Sequence, residues 1–190
     1  MQRQDRISEV YEAALKVFSE FGYKKATIED IADELGLSKG GIYQYARHKK
    51  DLYFHTVEYG YLNWQKKVFD AVSQESDVRK QFEIMCKKAC LYLSEDTRLK
   101  NIMIHDPEIF PMSYQADPFK ELNANSMRQL KEILEKGIRE KKFRPMDTDL
   151  IARFLFSIYK MIVIDTYILE EKESYIDSVI DIMTHGFFTK

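Results

Sequence analysis

Apolar residues recur at helical spacing along nearly the whole chain, and turn-forming residues cut the pattern into segments. Ile7, Val10, Tyr11, Ala14, Val17, Phe18 and Phe21 fall at i, i+3, i+4 and i+7, which predicts a helix over residues 5–21 with one buried stripe. Gly22 stands just past the stripe as a helix-ending residue, and Lys24 and Lys25 follow where cations suit the C-terminal dipole. Ile28, Ile31, Ala32 and Leu35 predict a second, short helix, capped by Thr27 and closed at Gly36, where a left-handed C′ residue is best served by a side chain without Cβ. Ser38 is placed to N-cap a third helix running from Lys39 to about Tyr45, with Ile42 facing inward.

The same periodicity continues to the C-terminus. A helix over residues 49–72 carries Leu52, Tyr53, Val57, Leu62, Trp64, Val68 and Phe69 and is apolar on more than one face, as a helix that joins two parts of a protein is. Helices follow over 77–94 and 97–105, then a proline-bearing loop over 106–118 with a turn or two. Asp117–Pro118 reads as a cap and first-turn pair opening a helix to about Lys142. Arg144–Pro145 breaks the chain, Asp147 caps a strongly apolar helix to about Leu169, and a last helix spans about 174–187. No segment alternates as a strand does, so the fold class is all-α. No flexible linker divides the chain, so its parts should behave as coupled rigid pieces.

Two short helices joined by a tight turn make a helix-turn-helix, whose second helix lies in the DNA major groove. Charge agrees: residues 36–50 contain no acid, while Lys39, Arg47, Lys49 and Lys50 are basic. Gly40 and Gly41 each cost about 0.8–1 kcal/mol in a helix relative to alanine, so their presence in a first turn suggests close approach of something bulky to the backbone. A phosphate is the natural candidate at a helix N-terminus. Tyr43 and Tyr45 offer hydroxyls to phosphate, and the Gln44 amide matches an adenine edge.

With Thr27–Ile28 and the run IADELGLSKGGIYQYARHKKDLY over 31–53, the chain resembles the DNA-binding signature of the TetR (tetracycline-repressor-like) transcriptional regulators. The likeness covers residues 7 to about 54. It implies an N-terminal three-helix DNA-binding domain over 1–48 and a C-terminal helical effector-binding and dimerisation domain over 49–190. It also implies a repressor that binds a palindromic operator as a homodimer and is released by a small, largely apolar effector. The expected DNA face is Lys39, Gly40, Gly41, Tyr43, Gln44 and Tyr45, with Thr27, Ser38, Lys49 and Lys50 positioning the backbone. One departure is Ala46, where the family usually has an aromatic; its loss should loosen packing beneath the recognition helix.

Composition narrows the remainder. At 190 residues with 45% apolar and 32% charged positions, the chain suits one large or two small soluble domains, and its formal net charge of −2 confines any DNA attraction to a local basic surface. No apolar run spans a bilayer and no leader is evident, so the sequence reads as cytoplasmic with no membrane partner. Its four histidines fall in no ligand spacing, and no phosphate loop or nucleophile elbow is present, so neither an enzyme, a metal site nor a cofactor is expected. Cys86 and Cys90, four apart on one helix face, read as buried apolar residues, with a thiol-based redox sensor as the alternative. A second alternative is a helical ligand-binding protein with a vestigial DNA-binding head. For the effector, Trp64, Phe82, Met85, Met103, Phe110 and Tyr114 are the expected lining. For the dimer interface the expectation is Phe154, Ile158 and Ile162 with Tyr175, Val179 and Met183, because the last two helices carry more apolar surface than one inner face needs.

Overall fold

The computed structural model describes residues 2–164 together with 178, 179, 181, 182, 185 and 186. Eight α-helices follow in order among them: α1 Gln2–Lys25, α2 Ile28–Glu34, α3 Lys39–Ile42, α4 Lys49–Ser73, α5 Val78–Glu95, α6 Thr97–His105, α7 Lys120–Arg139 and α8 Thr148–Val163. Residues 178, 179, 181, 182, 185 and 186 are helical too, and no strand occurs among the described residues. The all-α expectation therefore holds. Two short 3-10 turns, Pro107–Ile109 and Tyr114–Ala116, occupy the loop that the prolines predicted.

Helix ends follow the local signals closely. Gly22 takes φ +70 and ψ 166, a region open essentially to glycine alone, so the backbone leaves helical geometry there before one more turn to Lys25. The residue ends the first helical run as expected, and one further helical turn follows it to Lys25. A Cβ at Gly22 would also stand 3.2 Å from the Cβ of His105, so this crossing needs glycine twice over. At the end of α2, Gly36 has φ +63, its N–H donates to Asp33 O and the Leu37 N–H donates to Ala32 O, which closes a Schellman motif. Asp147 accepts from the Leu150 N–H at 3.0 Å and caps α8 as expected.

One cap is not where the sequence placed it. Asp117 does not open α7, which begins at Lys120 after a turn. Its carboxylate accepts from the Phe119 N–H and from the Asn123 amide, both at 2.9 Å, and pairs with Lys160 of α8. The Lys160 ammonium donates to Pro111 O at 2.8 Å as well and lies 5.0 Å from the Phe110 ring and 5.5 Å from the Phe156 ring. Both charged side chains are almost completely buried. A fully satisfied ion pair of this kind is costly to form but holds its segments in one register, here residues 110–119 against α7 and α8.

The chain divides into two compact units, Met1–Asn63 with Asp96–Glu108, and Trp64–Glu95 with Ile109–Lys190. The division falls inside α4 and returns α6 to the first unit, whereas the expected functional boundary at 48/49 coincides with the start of α4. In the first unit, α6 lies along α1, and Leu15, Phe18, Ile31, Ile42, Leu52 and Ile102 form the core. Asp106, just past α6, accepts from the Tyr23 N–H at 2.9 Å and the Tyr53 hydroxyl at 3.0 Å. Burial together with that carboxylate pushes the Tyr53 phenol well above its ordinary range. The second unit packs α5, α7 and α8 around Phe82, Leu93, Leu134 and Phe143. Gly137 allows Phe143 to fold back onto α7, since a Cβ there would come within 2.1 Å of the ring.

Candidate nucleic-acid interface and body cavity

The helix-turn-helix is built by local bonds that the sequence supplies. The Thr27 hydroxyl accepts from the Asp30 N–H at 3.1 Å, and the Asp30 carboxylate accepts from the Thr27 N–H at 2.8 Å, a reciprocal capping box. This interaction draws the Asp30 carboxyl below its ordinary range, the Thr27 side chain contributing most. The Ser38 hydroxyl accepts from the Gly41 N–H at 3.2 Å and caps α3. Ile42 is completely buried, and Ala46 is buried at the position where a larger residue was expected, so the chain closes over the smaller side chain.

Helix α3 is shorter than expected. It ends at Ile42, and residues 43–45 continue as a turn in which the Gln44 and Tyr45 N–H groups reach back only three residues, to Gly41 O and Ile42 O. Two consecutive glycines give little helix propensity, and a single capped turn is all that the local bonds sustain. Ser38, Lys39, Gly40, Tyr43 and Gln44 are exposed, Gly41 and Tyr45 half-buried. A Cβ built on Gly40 would meet only Ser38 Oγ at 3.8 Å, and one on Gly41 only ordinary contacts at 3.6 Å. Neither glycine is therefore required by the packing of its own chain.

The basic residues around α3 differ in freedom. Lys39 pairs with Glu29 of α2 at 2.5 Å; the bond holds the Glu29 carboxyl below and the Lys39 ammonium above their ordinary ranges. Lys49, half-buried, sits 4.7 Å from the Tyr23 ring centre and donates to Lys24 O at 3.4 Å, so part of its role is to fasten the start of α4 to the end of α1. Lys50 is exposed beside the Phe54 ring. Asp51, the one acid of this stretch, accepts from the Arg47 N–H at 2.9 Å while its own N–H donates to His48 Nδ1, which ties the turn to the first turn of α4.

The second unit holds an apolar cavity of about 60 Å³ lined from α4, α5, α7 and α8. Of the expected effector residues, Trp64 and Met85 line it. Phe82 is buried against Phe143, Met103 belongs to the core of the first unit, Phe110 lies against Lys160 and Tyr159, and Tyr114 is exposed on the loop. Aromatic and methionine content marked those four as candidates, but Phe82 and Met103 sit on helix faces turned into other packing, and Phe110 and Tyr114 lie on the loop between α6 and α7. The structure adds Gln65, Cys86, Cys90, Ser126 and Tyr159 to the wall; Tyr159 stacks on Trp64 with ring centres 5.7 Å apart. Burial pushes both thiols up to about 12. Ile158 and Ile162, expected at a dimer interface, also line this cavity, and Ile162 is buried within its own chain. Phe154 is exposed, with Leu150 and Met161 on the same helix. Val179 is half-buried, whereas Tyr175 and Met183 lie outside the described residues. No helix among the described residues is long and apolar enough to cross a membrane.

Comparison with known proteins places this geometry. The profile described as bacterial regulatory proteins, tetR family, matches residues 10–56, the capped helix-turn-helix and the opening of α4. The chain is 26% identical over 165 residues to the HTH-type transcriptional regulator YhgD of Bacillus subtilis, covering 85% of this chain and 84% of that one. It is 24% identical over 158 residues to the HTH-type transcriptional repressor KstR2 of Mycobacterium tuberculosis, covering 81% and 78%. In fold it is similar to the transcriptional regulator FadR of Bacillus subtilis, solved in complex with stearoyl-CoA, with a TM-score of 0.77 at 18% identity over 94% of this chain and 98% of that one. The helix-turn-helix and the opening of α4 carry the signature of the tetR family of bacterial regulatory proteins, and over most of its length the chain is similar to helix-turn-helix transcriptional regulators.

Proposed function

We propose that the protein is a cytoplasmic repressor that binds a palindromic operator as a homodimer and leaves it when an apolar effector enters the body. The observation that carries this reading is the exposed face of α3: Lys39, Gly40, Tyr43 and Gln44 stand open to solvent on a segment whose caps are all made within its own chain. Lys39, Gly40, Gly41, Tyr43, Gln44 and Tyr45 form the DNA face, the two glycines leaving their N–H groups open to phosphate, and Thr27, Ser38, Lys49 and Lys50 set the approach to the backbone. Exposed Phe154 supports a second copy docking along α8, which would set two recognition elements one turn of DNA apart.

The effector site is the cavity behind Trp64. Among the described residues no charged side chain lines it, so the part of a ligand that meets these walls is uncharged. The stearoyl chain of the stearoyl-CoA in the FadR structure is of this character, and a solved structure of KstR2 is described as that of a ketosteroid transcriptional regulator. Free space of about 60 Å³ is smaller than an engineered cavity of roughly 150 Å³ that admits benzene. Binding must therefore move the walls, α4 among them, and α4 is the helix that begins at the recognition element. A ligand favouring the widened form shifts the population away from the DNA-binding one. Cys86 and Cys90 as redox sensors find no support, because thiols held near 12 carry almost no thiolate.

The test is binding to DNA flanking the protein's own gene against scrambled duplex across a salt series, followed by titration with apolar ligands read on the single tryptophan, Trp64. Selective, salt-steep binding with a ligand that both changes Trp64 emission and releases DNA supports the reading. Equal, weak binding to both duplexes refutes it.

A further inference from the structure

Helix α2 carries Glu29, Asp30, Asp33 and Glu34 on its exposed surface, an acidic face directly before a segment that has to approach phosphate. Two of these acids have partners that explain them. Asp30 closes the capping box with Thr27, and Glu34 accepts from Lys16 of α1 at 2.7 Å, which holds α2 against α1. Glu29 is different: it reaches forward ten residues to Lys39, the first residue of α3, with Oε1 and Nζ 2.5 Å apart. Both side chains are about half exposed, 55% for Glu29 and 51% for Lys39, so the pair lies on the surface and holds no core together. Its effect is to occupy the ammonium of the one cation that α3 itself contributes.

We propose that Glu29 is a specificity-determining residue of the DNA face, which competes with phosphate for Lys39 and so suppresses binding to duplex of arbitrary sequence. The inference rests on the DNA-binding reading above and adds a role for an acid that this reading leaves unused. On an arbitrary duplex the only gain at this point is one phosphate contact, and making it breaks the pair and leaves a carboxylate facing an anionic backbone. At the operator, base contacts from Tyr43 and Gln44 hold α3 in register, and the exchange of Glu29 for phosphate is driven by those contacts. Affinity for wrong sequences falls more than affinity for the right one, which is how specificity rises without a new attractive contact.

The experiment uses the full chain, a fluorescent scrambled duplex and anisotropy over a salt series, with wild type, Glu29→Gln, Lys39→Gln and the double variant. Each phosphate neutralised adds about 0.9 to the log–log salt slope, equivalent to about eightfold in affinity at 0.1 M salt. Glu29→Gln should steepen the slope by about one and tighten scrambled-duplex binding by about that factor. Lys39→Gln alone should not steepen the slope and should weaken scrambled-duplex binding, because it leaves Glu29 unpaired before the phosphates, and the double variant should lose the gain. A wild-type slope in Glu29→Gln overturns the proposal, as does a gain that survives in the double variant, which would be a diffuse charge effect. If the wild type binds no duplex in a salt-dependent way, the DNA-binding reading falls and takes this one with it. The helical circular-dichroism signal of each variant confirms that these surface changes leave the fold intact.

Discussion

Replacing Gly40 with alanine sets stability against DNA binding in one residue. The backbone at Gly40 is helical, and the added Cβ meets nothing nearer than Ser38 Oγ at 3.8 Å, so the free protein accepts the methyl group without strain. Substitution of this kind narrows the unfolded ensemble and stabilises by about 0.4–1 kcal/mol. For a chain of this size that corresponds to a rise in Tm of about 1–4 °C. On DNA the same methyl group keeps phosphate from the first-turn N–H groups. A hydrogen bond to a charged group contributes about 1.5–3 kcal/mol, so affinity for DNA flanking the gene should fall by about 10- to 150-fold. The assays are thermal melting by circular dichroism and anisotropy on the same preparation. A variant that melts higher and binds DNA as well as wild type refutes the argument that glycine is there for the ligand. One that melts lower refutes the account of free space around α3.

Three further outcomes follow from the packing. Gly137→Ala forces a Cβ to within 2.1 Å of the Phe143 ring, and overpacking of this kind should cost about 1–3 kcal/mol, read as a lower Tm. Lys160→Met leaves the Asp117 carboxylate buried without its cation and should cost about 3–5 kcal/mol in urea unfolding; adding Asp117→Asn should recover much of it, and additive losses in the pair would contradict the network. Cys86 and Cys90, raised by burial to about 12, stay protonated through the neutral range, with a thiolate fraction of about one in ten thousand at pH 8. Alkylation of the native protein should therefore be slow at pH 8 and accelerate only as pH climbs toward 12 or on unfolding. Rapid labelling at pH 7.5 would revive the redox sensor.

The sequence by itself determined the features whose causes lie within about four residues of one another. The capping box of Thr27 and Asp30, the Schellman end at Gly36, the Ser38 and Asp147 caps and the apolar stripes of each helix are short-range, so they are legible in order along the chain. That makes the helix-turn-helix and the all-α class legible in the chain itself. Tertiary structure decided everything that depends on how each helix is rotated and what it faces. Lys160 carries no sequence mark separating it from a surface lysine; its partner lies 43 residues away, and only packing makes the pair a buried one. Asp117–Pro118 looks like a cap because the competing cation is invisible in sequence. Trp64 and Met85 share a cavity, while Met103 and Phe82, equally apolar, fill cores, because hydrophobic attraction has no direction and only the shape of the assembled helices sorts one from the other. The pairing of Glu29 with Lys39 is set only when the turn between α2 and α3 folds one onto the other. Local bonds are fixed by neighbours in the chain, whereas partners across the fold are fixed by neighbours in space.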